Sequence, residues 1–424
     1  MRTYAIAWLF AAFASAGSAS APVTFNRDIL PIFQKNCQVC HRSGEIGPMP
    51  LLTYQNARPW AKSIKAEVLA RKMPPWFADP RYGHFQNDRR LSNADVAKIA
   101  AWVDGGSPEG DSPEGAPKDQ PPPLAWTEGW NIRADAVFQM PDPYNIPAKG
   151  TLDYVYIVVP TGFVKDTWVT AGEVRPGARA SVHHAIVCVR PPGSQWMKDA
   201  MPFVPYVPAR ISGDADDPQS HPVNLSYEFL AGYSPGIGPQ RFDVDHSAKL
   251  IPAHSDLVFQ IHYLANGKNA VQDRTKIGLT LTDSPPPKRF YSAVVAGAKW
   301  TIPPGDPDYE GRASLTFGEP VELVCLQPHM HLRGKDMTAW LTYPGQEPRI
   351  LLSVPHYDFN WQLLYYLDQP LSLPQGAKIQ IVGHWDNSAN NPNNPDPAAT
   401  VTWGDQSSDE MLSMAMGVIV DRDE

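Results

Sequence analysis

Near its N-terminus this 424-residue chain carries the pentapeptide Cys37-Gln38-Val39-Cys40-His41, which leaves few folds open to the segment around it. A C-x-x-C-H sequence attaches a c-type haem: the two thiols add across the vinyl groups, and the histidine supplies the proximal imidazole. The alternative is a C-x-x-C zinc or redox pair beside a chance histidine, but the chain has no second C-x-x-C to complete a zinc site. The sequence therefore predicts one covalently bound haem on Cys37, Cys40 and His41.

Residues 1–21 have the pattern of a secretory signal peptide. Arg2 precedes an apolar run, residues 5–13, and small residues follow up to Ala21. Cleavage after Ala19 is favoured over cleavage after Ala21, because Pro22 would follow the second cut. The apolar run is too short to span a bilayer, and no other segment approaches the required length. Because c-type haem is attached outside the cytoplasm, we expect a periplasmic protein with no membrane span in the mature chain.

Residues 22–106 show the apolar spacing of helices. One helix precedes the haem motif, with Pro31 early in it or kinking it, and a second ends at Met73-Pro74-Pro75. A third begins with Ser92 and Asp95 as a capping box and ends at Gly105-Gly106. The inward positions are Phe25, Ile29, Phe33, Trp60, Ile64, Val68, Val96, Ile99 and Val103. Three short helices around one haem predict a small all-α cytochrome c domain.

The sixth haem ligand is open between two methionines. Met73 ends a helix against two prolines, which would present its sulfur rigidly, and it resembles the axial methionine of class I cytochromes c. Met49 is the other methionine downstream of the motif, and His84 is a more distant candidate. We favour Met73; its alternative role is that of a core residue at a helix end.

Proline marks the change to a second kind of structure. The chain contains 45 prolines, about twice the usual share, and this content suits short strands joined by loops. Residues 107–125, rich in Pro, Gly, Asp and Glu, read as a semi-rigid linker that allows several arrangements of the haem domain. Beyond it, β-branched and aromatic runs at 154–159, 185–189, 257–261 and 379–382 predict strands. Their extent favours two β-sandwich domains, residues 126–287 and 288–424.

Charge and cysteine usage add two expectations. The net charge is −8 and 19% of the residues are charged, so no nucleic-acid surface is expected. Cys188 and Cys325 each lie in an apolar, strand-like run. Two buried free thiols are favoured over a mutual disulfide, which remains the alternative.

Three histidine features lie on the predicted strands: the pair His183-His184, the strand-end His262, and the H-x-H pair of His329 and His331. Residues i and i+2 share one face of a strand, so the H-x-H rings can reach one metal ion. Neighbours point to opposite faces, so His183 and His184 could bind one ion only if the strand bends or the rings use different nitrogens. Spacing alone does not separate zinc from copper, and each feature alone also fits a structural histidine.

In this order, these features resemble the ligand set of the copper type II, ascorbate-dependent monooxygenases, the family of dopamine β-monooxygenase and the peptidylglycine-hydroxylating enzyme. The motifs that carry the resemblance are His183-His184, Gln260-Ile261-His262-Tyr263, His329-Met330-His331-Leu332-Arg333-Gly334 and Asp409-Glu410-Met411, together with the loops Gly232–Gly236 and Trp385–Ser388. The similarity covers residues 155–424. It implies two jelly-roll-like β-sandwiches, which agrees with the strand pattern.

The resemblance also implies two copper ions. His183, His184 and His262 would hold the copper that stores and delivers an electron, and His329, His331 and Met411 the copper that performs catalysis. A thioether favours Cu(I), which suits the second role. Met411 could instead be a core residue, since Met414 and Met416 follow it in an apolar run.

The chain departs from the peptide-hydroxylating members at two positions and in its cysteine content. Gln327 stands where they have a carboxylate-binding arginine, and Ala415 stands where they have a tyrosine. At most one disulfide is possible in a family that is usually disulfide-rich. Peptide amidation is therefore disfavoured, and the sequence does not identify the substrate.

These patterns together predict a periplasmic copper monooxygenase that hydroxylates a C–H bond of a small organic substrate with O₂. Electrons would come from a periplasmic donor through the fused haem. The alternative is a non-catalytic haem and copper electron-transfer or copper-binding protein on the same scaffold. Zinc at the three-histidine set is a further alternative.

Overall fold

The computed structural model describes residues 21–42, 45–111, 130–150, 152–208, 227–297 and 299–422. The predicted signal peptide, but for Ala21, and most of the predicted linker lie outside these residues. Along the described chain a small helical region is followed by a large all-β region of several sheets. The jelly-roll connectivity and the domain boundaries stay predictions. Among the described residues, no helix has the length and apolar character needed to cross a membrane.

The helical region forms where the apolar spacing predicted it. The Ser92 hydroxyl accepts a hydrogen bond from the backbone N–H of Asp95 at 3.0 Å and caps the last helix. Pro31 lies in the first turn of its helix, where the missing N–H removes no bond. Trp60, predicted to be inward, is 46% exposed, because it ends a 3₁₀ turn whose period differs from that of the next helix. The elements are a π-helical turn Phe25–Ile29, α1 Leu30–Asn36, α2 Tyr54–Ala57, a 3₁₀ turn Arg58–Trp60, α3 Ala61–Leu69 and α4 Asn93–Asp104.

The β-region forms from the β-branched and aromatic runs, which alternate with Gly, Pro and Asn turns. Its strands are β1 Ala136–Gln139, β2 Tyr144–Ile146, β3 Val155–Pro160, β4 Thr167–Arg175, β5 Val182–Arg190, β6 Glu228–Tyr233, β7 Gln240–Arg241, β8 Ser247–Ile251, β9 Asp256–Tyr263, β10 Val271–Asp273, β11 Lys276–Thr282, β12 Lys288–Gly297, β13 Tyr309–Thr316, β14 Val321–His329, β15 Gly334–Thr342, β16 Arg349–Val354, β17 Tyr365–Leu373, β18 Lys378–Trp385 and β19 Leu412–Asp421.

Two hydrophobic cores lie between layers of strands. A four-stranded sheet, β3-β9-β5-β6, shares one core with β4 and β11. A second four-stranded sheet, β13-β18-β15-β16, shares the other core with β14 and β19. The opposing strands belong to one long sheet of order β1-β11-β4-β8-β12-β19-β14-β17, with β7 on β4. The parallel pairing of β8 with β12, through Lys288↔Ser247 and Arg289↔Ala248, joins its two halves.

The helical region is fixed against the β-region. Trp76 and Phe85, from the chain between α3 and α4, are buried in the core of the second layer pair, and Phe85 forms an antiparallel bridge with Leu367 of β17. Arg179 donates to both carboxylate oxygens of Glu45 at 2.5 and 2.6 Å. In this structure, buried aromatic rings and the ion pair of Arg179 with Glu45 hold the two regions together, and the several arrangements allowed by the linker stay a prediction.

Candidate metal centre

The first histidine set lies on two neighbouring strands. His184 of β5 and His262 of β9 are directly opposite each other, and the register shifts between Val182 and His184. A bulge of this kind turns the extra residue away from its regular direction. It therefore brings His183 to the same side as its neighbour, which is the bend that the adjacent pair requires.

The three rings converge as ligands of one ion would. Candidate ligand atoms of His183, His184 and His262 all lie within 4.8 Å of one another, and the Nδ1 atoms of His183 and His184 are 3.0 Å apart. Imidazole bonds of about 2.0–2.1 Å at a tetrahedral zinc ion would put two ligand nitrogens about 3.3 Å apart. Nδ1 of His262 is buried without a hydrogen-bond partner among the described residues. The donor set fits a metal ion.

The second set lies at the end of β14. The rings of His329 and His331 have centroids 5.1 Å apart. His329 pairs with Ser413 of β19, and continuing this antiparallel register puts Met411 opposite His331. Of the three positions predicted for the second metal, His329 is therefore held by strand pairing, and His331 and Met411 lie just beyond the paired strands.

A buried carboxylate fixes this second set. Glu410, which is fully buried, accepts hydrogen bonds from the backbone N–H of His331 at 3.0 Å and of Arg333 at 2.6 Å. Its Oε2 also accepts from Nε1 of Trp385 at 2.8 Å and from the backbone N–H of Met411 at 3.3 Å. Burial raises the pKa of Glu410 to about 7, although these donors oppose the rise. One side chain thus connects the H-x-H loop to the methionine.

The two sets adjoin each other. The ring centroids of His184 and His329 are 6.5 Å apart, and Gln362 lies between them. Its Oε1 is 3.0 Å from Nδ1 of His329 and its Nε2 is 3.4 Å from Nδ1 of His184. The ring of Phe359 stacks on His183 with a centroid distance of 4.6 Å. The five imidazoles therefore form one continuous group.

Burial keeps these imidazoles neutral. It lowers the pKa of His183 to about 4, that of His262 to about 3 and that of His329 to about 4. Burial, assisted by the neighbouring imidazoles, holds the pKa of His184 and His331 well below the usual range. Neutral imidazole is the form that binds a metal ion, so the group is ready for ligation near neutral pH.

The haem motif follows α1 in the helical region. Nδ1 of His41 is 3.1 Å from the backbone carbonyl of Met49, and this bond leaves Nε2 for the haem iron, as ligating histidines commonly do. Met49 therefore contacts the proximal histidine through its backbone, and its role as the alternative sixth ligand is not tested by this contact. Met73 is half-buried at the end of the α3 segment, and its role as the sixth ligand stays a prediction.

Neither of the remaining cysteines forms a disulfide in the described part of the chain. Cys188 and Cys325 are both buried and free. Burial raises the pKa of the Cys188 thiol to about 12 and that of Cys325 to about 11. The two thiols therefore behave as small apolar core groups, as the favoured alternative expected.

The comparisons with known proteins identify one part of the chain. Residues 31–107 match the cytochrome c family model, so this segment is a cytochrome c domain, the class of domain that binds haem c and transfers electrons. No curated protein matches the chain.

Several solved structures are distantly similar to this chain. PNGF-II has a TM-score of 0.30 and 9% identity over 68% of this chain and 66% of that chain, just under two thirds of its length. PBCV-1 VP54 has a TM-score of 0.24 and 7% identity over 70% and 97%. The infectious bursal disease virus Gx strain has a TM-score of 0.19 and 9% identity over 70% and 76%. Scores this low carry no argument about fold or function.

Sequence reasoning missed three contributors to the site. Glu410 enters the sequence analysis only as the context of Met411, although the Asp-Glu-Met sequence could have suggested its role. Gln362 and Phe359 lie in the connection between β16 and β17, where no periodicity marks them. Only their contacts with the imidazoles reveal them.

Proposed function

We propose that this protein is a periplasmic copper-dependent monooxygenase that hydroxylates a C–H bond of a small organic substrate with O₂, and that its electrons enter through the fused haem. The observation that carries the proposal is the convergence of two separately spaced histidine motifs into one group, with the backbone of Met411 tied to the second motif through Glu410. The resemblance to the copper monooxygenases gives that convergence its chemical interpretation.

The types of donor atom suggest a different role for the copper in each histidine set. Copper bound there would exchange single electrons and engage dioxygen. An all-imidazole set such as His183, His184 and His262 accommodates either oxidation state of copper, whereas the thioether of Met411 favours Cu(I). Phe359 covers the first set with an apolar ring and so limits the access of water. Glu410 holds the backbone of His331 and Met411 in fixed relative positions.

A non-catalytic haem and copper electron carrier is the second candidate, and one observation favours it. His183, His184, His262 and His331 are all buried, and the Phe359 ring lies within about 6 Å of three of them. A closed site of this kind suits electron transfer at least as well as substrate entry. The two candidates differ in whether dioxygen consumption is coupled to an organic product.

Metal stoichiometry in a matched pair of variants tests the proposal. Wild-type protein, matured with haem and reconstituted with copper, is expected to hold two coppers and one haem with a Cu(II) paramagnetic resonance signal, which zinc would not give. Met411→Ile should lose one copper and all turnover with an unchanged haem spectrum. Met414→Ile, the same change at a buried core position of β19, should keep both coppers. Full activity of Met411→Ile would contradict the assignment, and one copper or none in the wild type would favour the electron carrier.

A further inference from the structure

One short segment touches both the histidine group and the cytochrome c domain. This connecting segment, residues 359–366, lies between β16 and the first residues of β17. We propose that it carries electrons from the haem to the histidine centre, and that Gln362 is the positioning residue that couples the two histidine sets to this route. The inference rests on the proposed function only in requiring copper at the histidines.

At the metal end, the segment is in direct contact with both histidine sets. Phe359 stacks on His183 with an interplanar angle of 23°. The amide of Gln362 reaches Nδ1 of His329 at 3.0 Å and Nδ1 of His184 at 3.4 Å. This side chain is 5% exposed, so its amide works in a low-dielectric environment where hydrogen bonds are strong.

At the haem end, the next residues meet the cytochrome c domain. Leu363 and Leu364 line a cavity of about 200 Å³ together with Trp76 and Arg89 of that domain. The carbonyl of Leu364 accepts a hydrogen bond from Nδ2 of Asn87 at 2.7 Å. The segment therefore ends against the chain between α3 and α4 of the cytochrome c domain.

The segment is held firmly between these two ends. The Gln362 carbonyl accepts hydrogen bonds from the Ser234 hydroxyl at 3.0 Å and from Nε2 of Gln327 at 3.3 Å. The ring of Tyr365 contacts Trp76 at 4.8 Å between centroids. From Gln362 to Tyr365 the chain advances three residues, which spans at most about 10 Å. A short covalent path completed by hydrogen bonds thus joins the two regions.

The transfer itself is a balanced one-electron step. Haem held by Cys37, Cys40 and His41 would receive one electron from an external donor, and passing it on would return the iron from the ferrous to the ferric state. Copper held by the histidines would take up that electron and go from Cu(II) to Cu(I). No bond of the protein is broken, and the hydrogen bonds of Gln362 hold the imidazole orientations on which the coupling depends.

Anaerobic haem reoxidation in copper-loaded full-length protein tests this route. The haem is reduced by a flash, and its reoxidation is followed at its absorbance band while the Cu(II) resonance decays. Gln362→Leu removes both amide contacts and should slow the transfer about ten-fold, with the haem spectrum and both coppers retained. Gln240→Leu is the matched control, because Gln240 is equally buried and its amide donates to the backbone carbonyl of Gly232 at 2.9 Å, with no contact to the histidines among the described residues. It should leave the rate unchanged.

A second variant guards against misfolding or copper loss in Gln362→Leu. Gln362→Glu keeps an acceptor for Nδ1 of His329 and should retain most of the wild-type rate. An unchanged rate in Gln362→Leu, a rate in Gln362→Glu about ten-fold below wild type, or a wild-type haem that bound Cu(II) does not reoxidise would each overturn the route. Normal transfer without any O₂-dependent product would refute the proposed monooxygenase and leave the route standing.

Discussion

The two histidine sets reach the same kind of donor arrangement by different means. His183, His184 and His262 are positioned by the pairing of β5 with β9 and by one bulge. His331 and Met411 lie beyond the paired part of β14 and β19 and are held by the carboxylate of Glu410. Backbone register positions the first set, whereas a buried polar network positions the second. We therefore expect the first set to keep its copper and its stability when its side-chain partners are removed, and we expect the second set to lose them.

The largest expected effect comes from removing the carboxylate of the second set. Glu410→Ala leaves the N–H groups of His331 and Arg333 and the indole of Trp385 buried without their acceptor, at about 3–5 kcal/mol in the free energy of unfolding. We also expect one copper to be lost and the other retained. Denaturant unfolding and copper analysis measure the two effects.

The control for this variant is Glu347→Ala, the same substitution at an exposed residue of the connection between β15 and β16. It should change the unfolding free energy by no more than about 0.5 kcal/mol. Retention of both coppers in Glu410→Ala would show that strand register alone positions the second set, and the contrast between the two sets would be lost.

A smaller effect is expected when Glu410 loses only one of its partners. Trp385→Phe removes the hydrogen bond of 2.8 Å from the indole and leaves the three backbone donors in place. The expected cost is about 1–2 kcal/mol in the free energy of unfolding, with both coppers retained. Thermal unfolding measures this cost, and copper analysis measures the copper content. A cost equal to that of Glu410→Ala would argue against a network in which each hydrogen bond to Glu410 contributes only part of the stability.

The smallest effect is expected at the first set. The hydroxyl of Ser407 lies 3.4 Å from Nε2 of His262, but the strand ladder already fixes this histidine. Ser407→Ala should therefore change the free energy of unfolding by less than about 0.5 kcal/mol, and copper affinity should stay within a few-fold of wild type. A lost copper in this variant would mean that the first set also depends on side-chain partners.

Local sequence patterns predicted the helices and strands well, because the formation of these elements depends on residues that are close in sequence. Ser92 with Asp95 marked the start of α4, and the apolar runs marked β3, β5 and β9. The prediction for Trp60 failed because a short 3₁₀ turn has a different period from the α-helix that follows it.

The histidine positions were visible in the sequence, but the way in which they meet was not. Whether His183 and His184 can share an ion depends on a bulge relative to β9, a strand more than seventy residues away. The contact between His184 and His329 depends on how the two layer pairs are joined. Gln362 carries no local pattern at all, since its role comes only from the loop that delivers it.

The bridge between Phe85 and Leu367 has a consequence for how the protein can be produced. β17 ends the order of the long sheet, and an uncovered edge strand offers its free N–H and C=O groups to strands of other molecules. The cytochrome c domain covers this edge and inserts Trp76 and Phe85 into the adjoining core. If the β-region is expressed without that domain, we expect it to expose both the edge of β17 and the apolar residues that contact Trp76 and Phe85. We expect it to self-associate as a result. We therefore expect the cytochrome c domain to protect the β-region from self-association.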